Sequence, residues 1–283
     1  MIYYLLMMGL PIVNCIQSIS QKQYNLKHES PNVILFSAIT SVIALCFFVL
    51  TSGFDLDFDV RLIPYSLVFA VSYASAWVGT VLAVRYGLMA ISSLIVSFSL
   101  IFPTGYGILM GEAVTAKTIV GFALLVIAMV LVNLKFNQKG KFSIKWLVCV
   151  LVAFLGNGAC SIAQNMHKQV LGDGYKHEFM IIALAAAFIL LMVYAMFTSK
   201  NIGADFKAAL PYSTANGVAN ALGNFLMLTL IGNLPNTILY PTNSAINMIF
   251  TFALAFIVYK ERFSQPQYIG YGLGVVSIVL LNI

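Results

Sequence analysis

Charged residues are scarce in this sequence. Asp, Glu, Lys and Arg together make up 8% of the 283 residues, while 61% are hydrophobic. Soluble domains carry about 25% charged residues, so the composition excludes an ordinary soluble protein. Residues that bind metals or react are also few: there are three histidines, and Cys15, Cys46, Cys149 and Cys160 form no CxxC pair. We therefore expect no metal site, no redox site and no cofactor.

The few charges leave long charge-free stretches between them. These stretches are 1–21, 30–54, 62–84, 86–111, 118–134, 146–167, 179–199, 208–259 and 263–283. A helix needs roughly 20 apolar residues to cross a bilayer, so eight stretches fit one crossing each. The longest fits two, with a break at 233–236, where Pro235 favours a turn. Hydrophobic residues do not alternate, so helices are favoured over barrel strands. The sequence predicts an all-α polytopic membrane protein with ten transmembrane helices, called spans 1 to 10 below. The first apolar stretch has no basic region before it, so we expect it to be span 1 rather than a signal peptide.

The two halves of the chain resemble each other at offsets of 143 to 149 residues. Spans 3 and 8 both open with Pro-Tyr-Ser, at 64–66 and 211–213, and Glu112 and Gly121 match Glu261 and Gly270. Such an ordered series predicts a duplication, with one five-helix repeat at 1–139 and a second at 140–283. Because five is odd, the second repeat must enter the membrane in the opposite direction. Inverted repeats are typical of transporters, which bind their substrate between the repeats near the membrane midplane.

Short motifs close each half. Gly111-Glu112 is followed by Ile119-Val120-Gly121, and Lys260-Glu261 is followed by Tyr268-Ile269-Gly270. These motifs resemble those of EamA-type proteins in the drug/metabolite transporter superfamily, and the ten-helix layout of that family covers the whole chain. The resemblance implies metabolite transport, cytoplasmic termini, a central cavity lined by spans 1, 3, 4, 6, 8 and 9, and a peripheral position for spans 5 and 10.

Amide and hydroxyl side chains recur about four residues apart in several spans, which places them on one face of a helix. An unpaired amide in hydrocarbon costs several kcal/mol, so these faces must contact protein or water. They either line a cavity or form hydrogen bonds that hold helices together, and we favour the cavity because the stripes fall on spans that the resemblance places around it. With nearby aromatic residues, the predicted substrate-binding residues are Asn14, Gln17, Gln21, Tyr73, Trp77, Ser93, Ser97, Asn157, Ser161, Gln164, Asn216, Asn220, Asn224, Tyr240, Asn243 and Asn247.

The charges that are missing indicate the class of cargo. An anionic cargo would call for several intramembrane Arg or Lys residues and a cationic one for a carboxylate, and neither is present in the charge-free stretches. We therefore predict a small neutral or zwitterionic metabolite, amino-acid-like, that moves by alternating access. Four-helix relatives in the superfamily exchange a proton at a glutamate in their first helix, where this chain has Asn14, with Asn157 at the matching repeat position. Facilitated diffusion or exchange is thus expected.

Other functions remain to be weighed. A lipid flippase, or an exporter of aromatic or cationic compounds, on the same fold stays open as the alternative. A membrane enzyme is disfavoured, since the sequence has no HExxH motif and no paired intramembrane Asp; a channel would need rings of like residues. The expected partners are a small-molecule substrate and the lipid bilayer of the plasma or inner membrane, without nucleic acid, as a monomer or homodimer.

The distribution of basic residues predicts the orientation of the chain in the membrane, and three local features predict helix capping, helix packing and an interface anchor. Segments after odd-numbered spans carry 11 of the 15 basic residues, which by the positive-inside rule places both termini outside the cell, against the resemblance. Glu112 and Glu261 are expected to cap helices or form ion pairs. Gly270 and Gly274 form a GxxxG motif for close packing within the chain or between two chains. Trp146 is expected to anchor a helix at the membrane interface.

Overall fold

In the computed structural model, the described residues are 2–28, 31–86, 92, 95–133, 143–172, 174–199, 201–257 and 263–282, and this part of the chain is helical apart from short connections. The helices are α1 (Ile2–Met7), α2 (Gly9–Lys27), α3 (Val33–Thr51), α4 (Leu62–Tyr86), α5 (Ile101–Leu109, preceded by a 3-10 turn at Phe98–Leu100), α6 (Ala116–Asn133), α7 (Ile144–Leu171), α8 (Lys176–Thr198), α9 (Ile202–Leu230), α10 (Asn236–Ile257) and α11 (Gln265–Asn282). Within these ranges the structure has no strand. Span 1 corresponds to α1 and α2, and spans 2 to 10 correspond in order to α3 to α11.

Large apolar side chains cover the outside of the bundle. Leu109, Ile144 and Phe197 are 82%, 82% and 85% exposed, whereas Ser41 and Asn216 are buried. Water would not tolerate so much apolar surface, but a lipid bilayer requires it. Five helices, beginning with Ile2–Lys27 and ending with Lys176–Thr198, are long and apolar enough to cross a membrane. The prediction of an all-helical, membrane-embedded protein is confirmed.

The helix α9 is long enough to cross but is absent from that group of five. It contains Asn216, Asn220 and Asn224, and each amide lowers the mean hydropathy of the helix. A helix of this kind is stable in a bilayer only where its amide face is covered by protein or water. The position of α9 inside the bundle, packed on α2 and α3, provides that cover.

Several helix contacts recur when the two halves of the sequence are exchanged. The pair α4–α7 has its counterpart in α9–α2, and the pair α3–α9 has its counterpart in α8–α4. Likewise α10–α2 corresponds to α5–α7, while α3–α8 and α6–α11 are each their own counterpart. These recurring pairs agree with the duplication that the sequence predicts.

Two buried hydrogen bonds are formed by residues at matching positions of the two halves. Ser66 Oγ donates to the carbonyl oxygen of Phe179 at 3.1 Å, and Ser213 Oγ donates to that of Phe36 at 3.3 Å. Ser66 and Ser213 are the serines of the two Pro-Tyr-Ser motifs, and the two phenylalanines also match at a repeat offset. The repeated sequence thus makes matched contacts between the halves.

We expect Ser66→Ala and Ser213→Ala to lower the free energy of unfolding by similar amounts, about 1 kcal/mol each, because each removes one buried hydrogen bond. Unfolding in detergent, followed by circular dichroism, measures both. Thr214→Ala is the control, since Thr214 Oγ1 is exposed and donates only within its own helix, to Leu210 at 2.8 Å. A large loss in one serine variant and none in the other would contradict the matched roles.

Two local expectations are decided by packing. Gly270 lies against Ala128 and Val132 of α6, and Gly274 lies against Met248, so the GxxxG motif packs within the chain. The expectation that Trp146 anchors the membrane interface was wrong. Trp146 is 5% exposed and its indole nitrogen donates to Ser92 Oγ at 2.9 Å, because a buried indole N–H requires an acceptor.

Candidate functional site

A cavity of about 290 Å³ lies between the two halves of the chain. It is open on one side and is lined by α2 and α6 from the first half and by α10 and α11 from the second, next to the start of α5. The lining residues are Asn14, Ser18, Ser97, Met129, Val132, Ser244, Asn247, Met248 and Tyr271. These described lining residues combine amide and hydroxyl groups with apolar side chains and carry no formal charge, and they include three predicted site residues: Asn14, Ser97 and Asn247.

A continuous series of side-chain amides leads from α7 through α9 to this cavity. Gln164 Nε2 donates to Asn224 Oδ1 at 3.0 Å, and Asn224 Nδ2 donates to Asn220 Oδ1 at 3.1 Å. Asn220 Nδ2 then donates to Gln17 Oε1, and Gln17 Nε2 donates to Asn14 Oδ1, both at 3.4 Å. We call these five residues the amide chain. Its two longest hydrogen bonds meet at Gln17, between α9 and the cavity.

Most of the amide chain holds helices together. Gln164 and Asn220 are 5% and 9% exposed, and Asn216, beside them, is 1% exposed. Asn216 Nδ2 donates to the backbone oxygen of Gln17 at 3.0 Å, which ties α9 to α2. Both uses expected of the amide stripes therefore occur: hydrogen bonding between helices for Gln164, Asn216, Asn220 and Asn224, and cavity lining for Asn14 and Asn247.

The polar residues of α7 bond mainly within their own helix. Asn157 Nδ2 donates to the carbonyl of Ala153 at 3.0 Å, and Ser161 Oγ donates to that of Asn157 at 3.4 Å. Neither is among the residues that line the 290 Å³ cavity. Tyr240 is held by Asn165, whose Nδ2 donates to the Tyr240 hydroxyl at 2.8 Å. Asn165 was not predicted as a site residue, although it lies four residues after Ser161 on the same face of α7.

Among the described residues, the other predicted site residues Gln21, Tyr73, Trp77 and Asn243 are not part of the cavity lining. Tyr73 and Trp77 pack edge to face, with ring centroids 6.4 Å apart. The Tyr73 hydroxyl and Asn243 Oδ1 are buried without a hydrogen-bond partner among the described residues. Gln21 is half-buried in α2. Ser93 lies outside the described residues.

A second cavity, of about 610 Å³, lies between the ends of α5 and α7 and the connection from α9 to α10. In its wall the Glu112 carboxylate accepts the backbone N–H groups of Asn236 and Thr237, each at 2.8 Å. A carboxylate at the start of a helix satisfies free N–H groups and complements the helix dipole. The expected capping role is confirmed for Glu112, and it joins the two halves; Glu261 lies outside the described residues.

Two buried titratable residues, Glu178 and His167, lie towards the ends of helices. Glu178 is 9% exposed; one carboxylate oxygen accepts the N–H of Asp57 at 3.3 Å, and the other has no partner among the described residues. His167 is fully buried and stacks on Phe179, with ring centroids 4.3 Å apart. Glu178 immediately precedes the charge-free stretch 179–199, and its burial is not evident from the sequence pattern.

Comparison with known proteins establishes the fold and no more. No family profile matches the chain, and no curated protein matches it. Among solved structures, 29 chains match. One is a protein crystal structure with a TM-score of 0.76 and 13% sequence identity, and the match covers 98% of each chain. At this identity the likeness shows that the whole chain adopts an arrangement of helices found in a crystal.

Proposed function

We propose that the protein is a transporter of a small neutral or zwitterionic metabolite that works by alternating access. The observation that carries this proposal is the uncharged, amide- and hydroxyl-lined cavity between the two halves. Asn14 and Ser97 come from the first half, and Asn247 and Tyr271 come from the second. Transporters built from repeats bind cargo at such a junction, where movement of one half against the other changes access.

The proposal includes ten crossings arranged as an inverted repeat of the EamA type. The recurring helix pairs and the two matched serine hydrogen bonds support the repeat. Tyr4 near the start of the chain and Asn282 near its end line one groove, which favours an even number of crossings. Glu112 of the EamA-like motif caps a helix of the other half, which gives this motif a structural role in the chain.

The cavity also sets the class of cargo. Ligand pockets for drug-sized molecules span about 300–1,000 Å³, so a cavity of 290 Å³ suits a molecule of amino-acid size. Asn14, Asn247 and the three serines supply donors and acceptors, while Met129, Val132 and Met248 supply an apolar wall. A zwitterion with an apolar side chain matches this combination, because each polar group finds a partner and no net charge is buried.

Lipid translocation is the second candidate, and one observation favours it. An apolar groove of about 510 Å³ runs between α1 and α10–α11, lined by residues that include Leu5, Met8, Ile246 and Ile278. A groove of this kind accommodates an acyl chain. Competition separates the candidates: metabolite uptake that is unaffected by added lysophospholipid supports the metabolite carrier.

The decisive test uses purified protein in proteoliposomes loaded with unlabelled amino acids and offered labelled ones. We expect counterflow uptake of at least one apolar amino acid, nearly unchanged when a pH gradient is imposed or collapsed at constant voltage. No carboxylate lies among the described residues that line the 290 Å³ cavity, and on that basis we expect no proton to move with the cargo. Absence of uptake for all amino acids would refute this cargo class. Accumulation driven by a pH gradient alone would refute facilitated transport and make Glu178, His167, Glu112 and Glu261 the residues to test.

A further inference from the structure

We infer that the amide chain turns the N–H donors of Asn14 toward the 290 Å³ cavity, so that the site selects cargo with a hydrogen-bond acceptor, a carboxylate above all. The inference rests on the proposed function, because it takes this cavity as the cargo site. It adds to that proposal that Asn14 acts as a hydrogen-bond donor in the cavity and that the cargo group it binds is a carboxylate.

The direction in which the amides of the chain donate their hydrogen bonds is determined at Asn224. Its Nδ2 donates to the backbone carbonyl of Asn220 at 2.9 Å, and a carbonyl only accepts. The Nδ2 atom must therefore face Asn220, and Oδ1 must face the opposite side, where Gln164 Nε2 approaches to 3.0 Å. Turning this amide over would place two oxygens against each other on one side and two nitrogens on the other.

From this fixed point each amide sets the orientation of the next. Asn224 Nδ2 also meets Asn220 Oδ1 at 3.1 Å, so Asn220 presents Nδ2 to Gln17 Oε1. Gln17 then presents Nε2 to Asn14 Oδ1. Asn14 Oδ1 is thereby used within the protein. Asn14 Nδ2 makes no hydrogen bond to any described residue, and the side chain lines the cavity.

Alignment strengthens this donor. Five amides that donate in one direction add their dipoles, with the positive end at Asn14, and hydrogen bonds in series polarise one another in a low-dielectric interior. Among the described residues that line the cavity there is no Lys or Arg. The aligned amide chain supplies a positive potential in their place without a buried charge, which suits the carboxylate of a zwitterion.

Four matched probes test the preference by binding to the protein in lipid nanodiscs: L-leucine, L-leucinamide, isoamylamine and isocaproate. They share a branched apolar chain and differ only in the carboxylate and the amine. We expect L-leucine to bind at least about tenfold more tightly than isoamylamine, since a hydrogen bond to a charged acceptor contributes about that factor. Isocaproate is expected to retain most of the affinity of L-leucine.

The sharpest variant is Asn14→Asp. Aspartate keeps an oxygen for Gln17 Nε2 but turns an acceptor instead of a donor toward the cavity. We expect the preference to invert, with isoamylamine bound more tightly than L-leucine. Asn157→Asp is the matched control, because Asn157 occupies the equivalent repeat position and bonds to Ala153 in its own helix. It is expected to keep the wild-type order, with thermal unfolding confirming that both variants are folded.

Equal binding of L-leucine and isoamylamine to the wild type, no binding of either carboxylate probe, or the same order of affinities in both variants would overturn the inference. Transport in proteoliposomes is scored separately. A carboxylate preference without transport would refute the proposed transporter and leave the polarity of Asn14 intact. Transport without a carboxylate preference would refute the polarity and leave the transporter intact.

Discussion

Replacing Asn247 by leucine is expected to reduce cargo uptake about tenfold or more while leaving stability within about 0.5 kcal/mol of wild type. Asn247 lines the cavity and makes no hydrogen bond to another described residue, so its amide is available to cargo. Leucine has a similar size and removes both polar groups. A cargo that leaves water for the cavity would then find no amide to replace its lost hydrogen bonds to water, so its binding weakens.

Asn220→Leu should have the opposite profile. Asn220 is 9% exposed, donates to Gln17 and accepts from Asn224, so leucine would remove both of these side-chain hydrogen bonds and interrupt the amide chain. We expect a loss of about 1–2 kcal/mol in the free energy of unfolding. Uptake per folded molecule and the unfolding midpoint, measured on the same preparations, separate the two variants. Loss of stability in Asn247→Leu, or full stability in Asn220→Leu, would reverse the assigned roles.

The contrast between these two residues shows how far the sequence could be interpreted. Both belong to amide stripes, and the periodicity predicts that each stripe contacts protein or water. Periodicity does not determine how a helix is rotated against each neighbour. In α2, Asn14 faces the cavity and Gln17, three residues later, faces α9, so one stripe serves two functions. That division depends on helix packing, which a single sequence does not contain.

The helices themselves were predictable because the few charged residues mark their ends. A rule that places charges at helix ends does not predict that Glu178, at the start of α8, is buried against the connection that contains Asp57. Nor does it predict the role of Glu112, whose partners Asn236 and Thr237 lie in the other half of the chain. Contacts between residues so far apart in the sequence depend on how the two halves pack against each other, which the sequence pattern does not determine.

Close packing at the crossing of α4 and α7 gives the largest expected effect on stability. A Cβ atom added to Gly156 would lie 2.8 Å from the carbonyl oxygen of Ser72 and 2.9 Å from the nitrogen of Ala76. Gly79, on the facing helix, is equally close to Ala153. Both obstacles are backbone atoms, which cannot move aside as a side chain can. The two helices therefore approach so closely only because each presents a glycine at the crossing.

We expect Gly156→Ala to destabilise the protein by about 1–3 kcal/mol and Gly156→Leu to prevent accumulation of folded protein, because the helices must separate to admit the side chain. Gly272→Ala is the matched control: no heavy atom lies within 4 Å of an added Cβ there, and alanine in a helix is favoured over glycine by about 0.5–1 kcal/mol. The unfolding midpoint in detergent should therefore fall for Gly156→Ala and stay level or rise for Gly272→Ala. Equal midpoints for the two alanine variants would mean that α4 and α7 are not in close backbone contact.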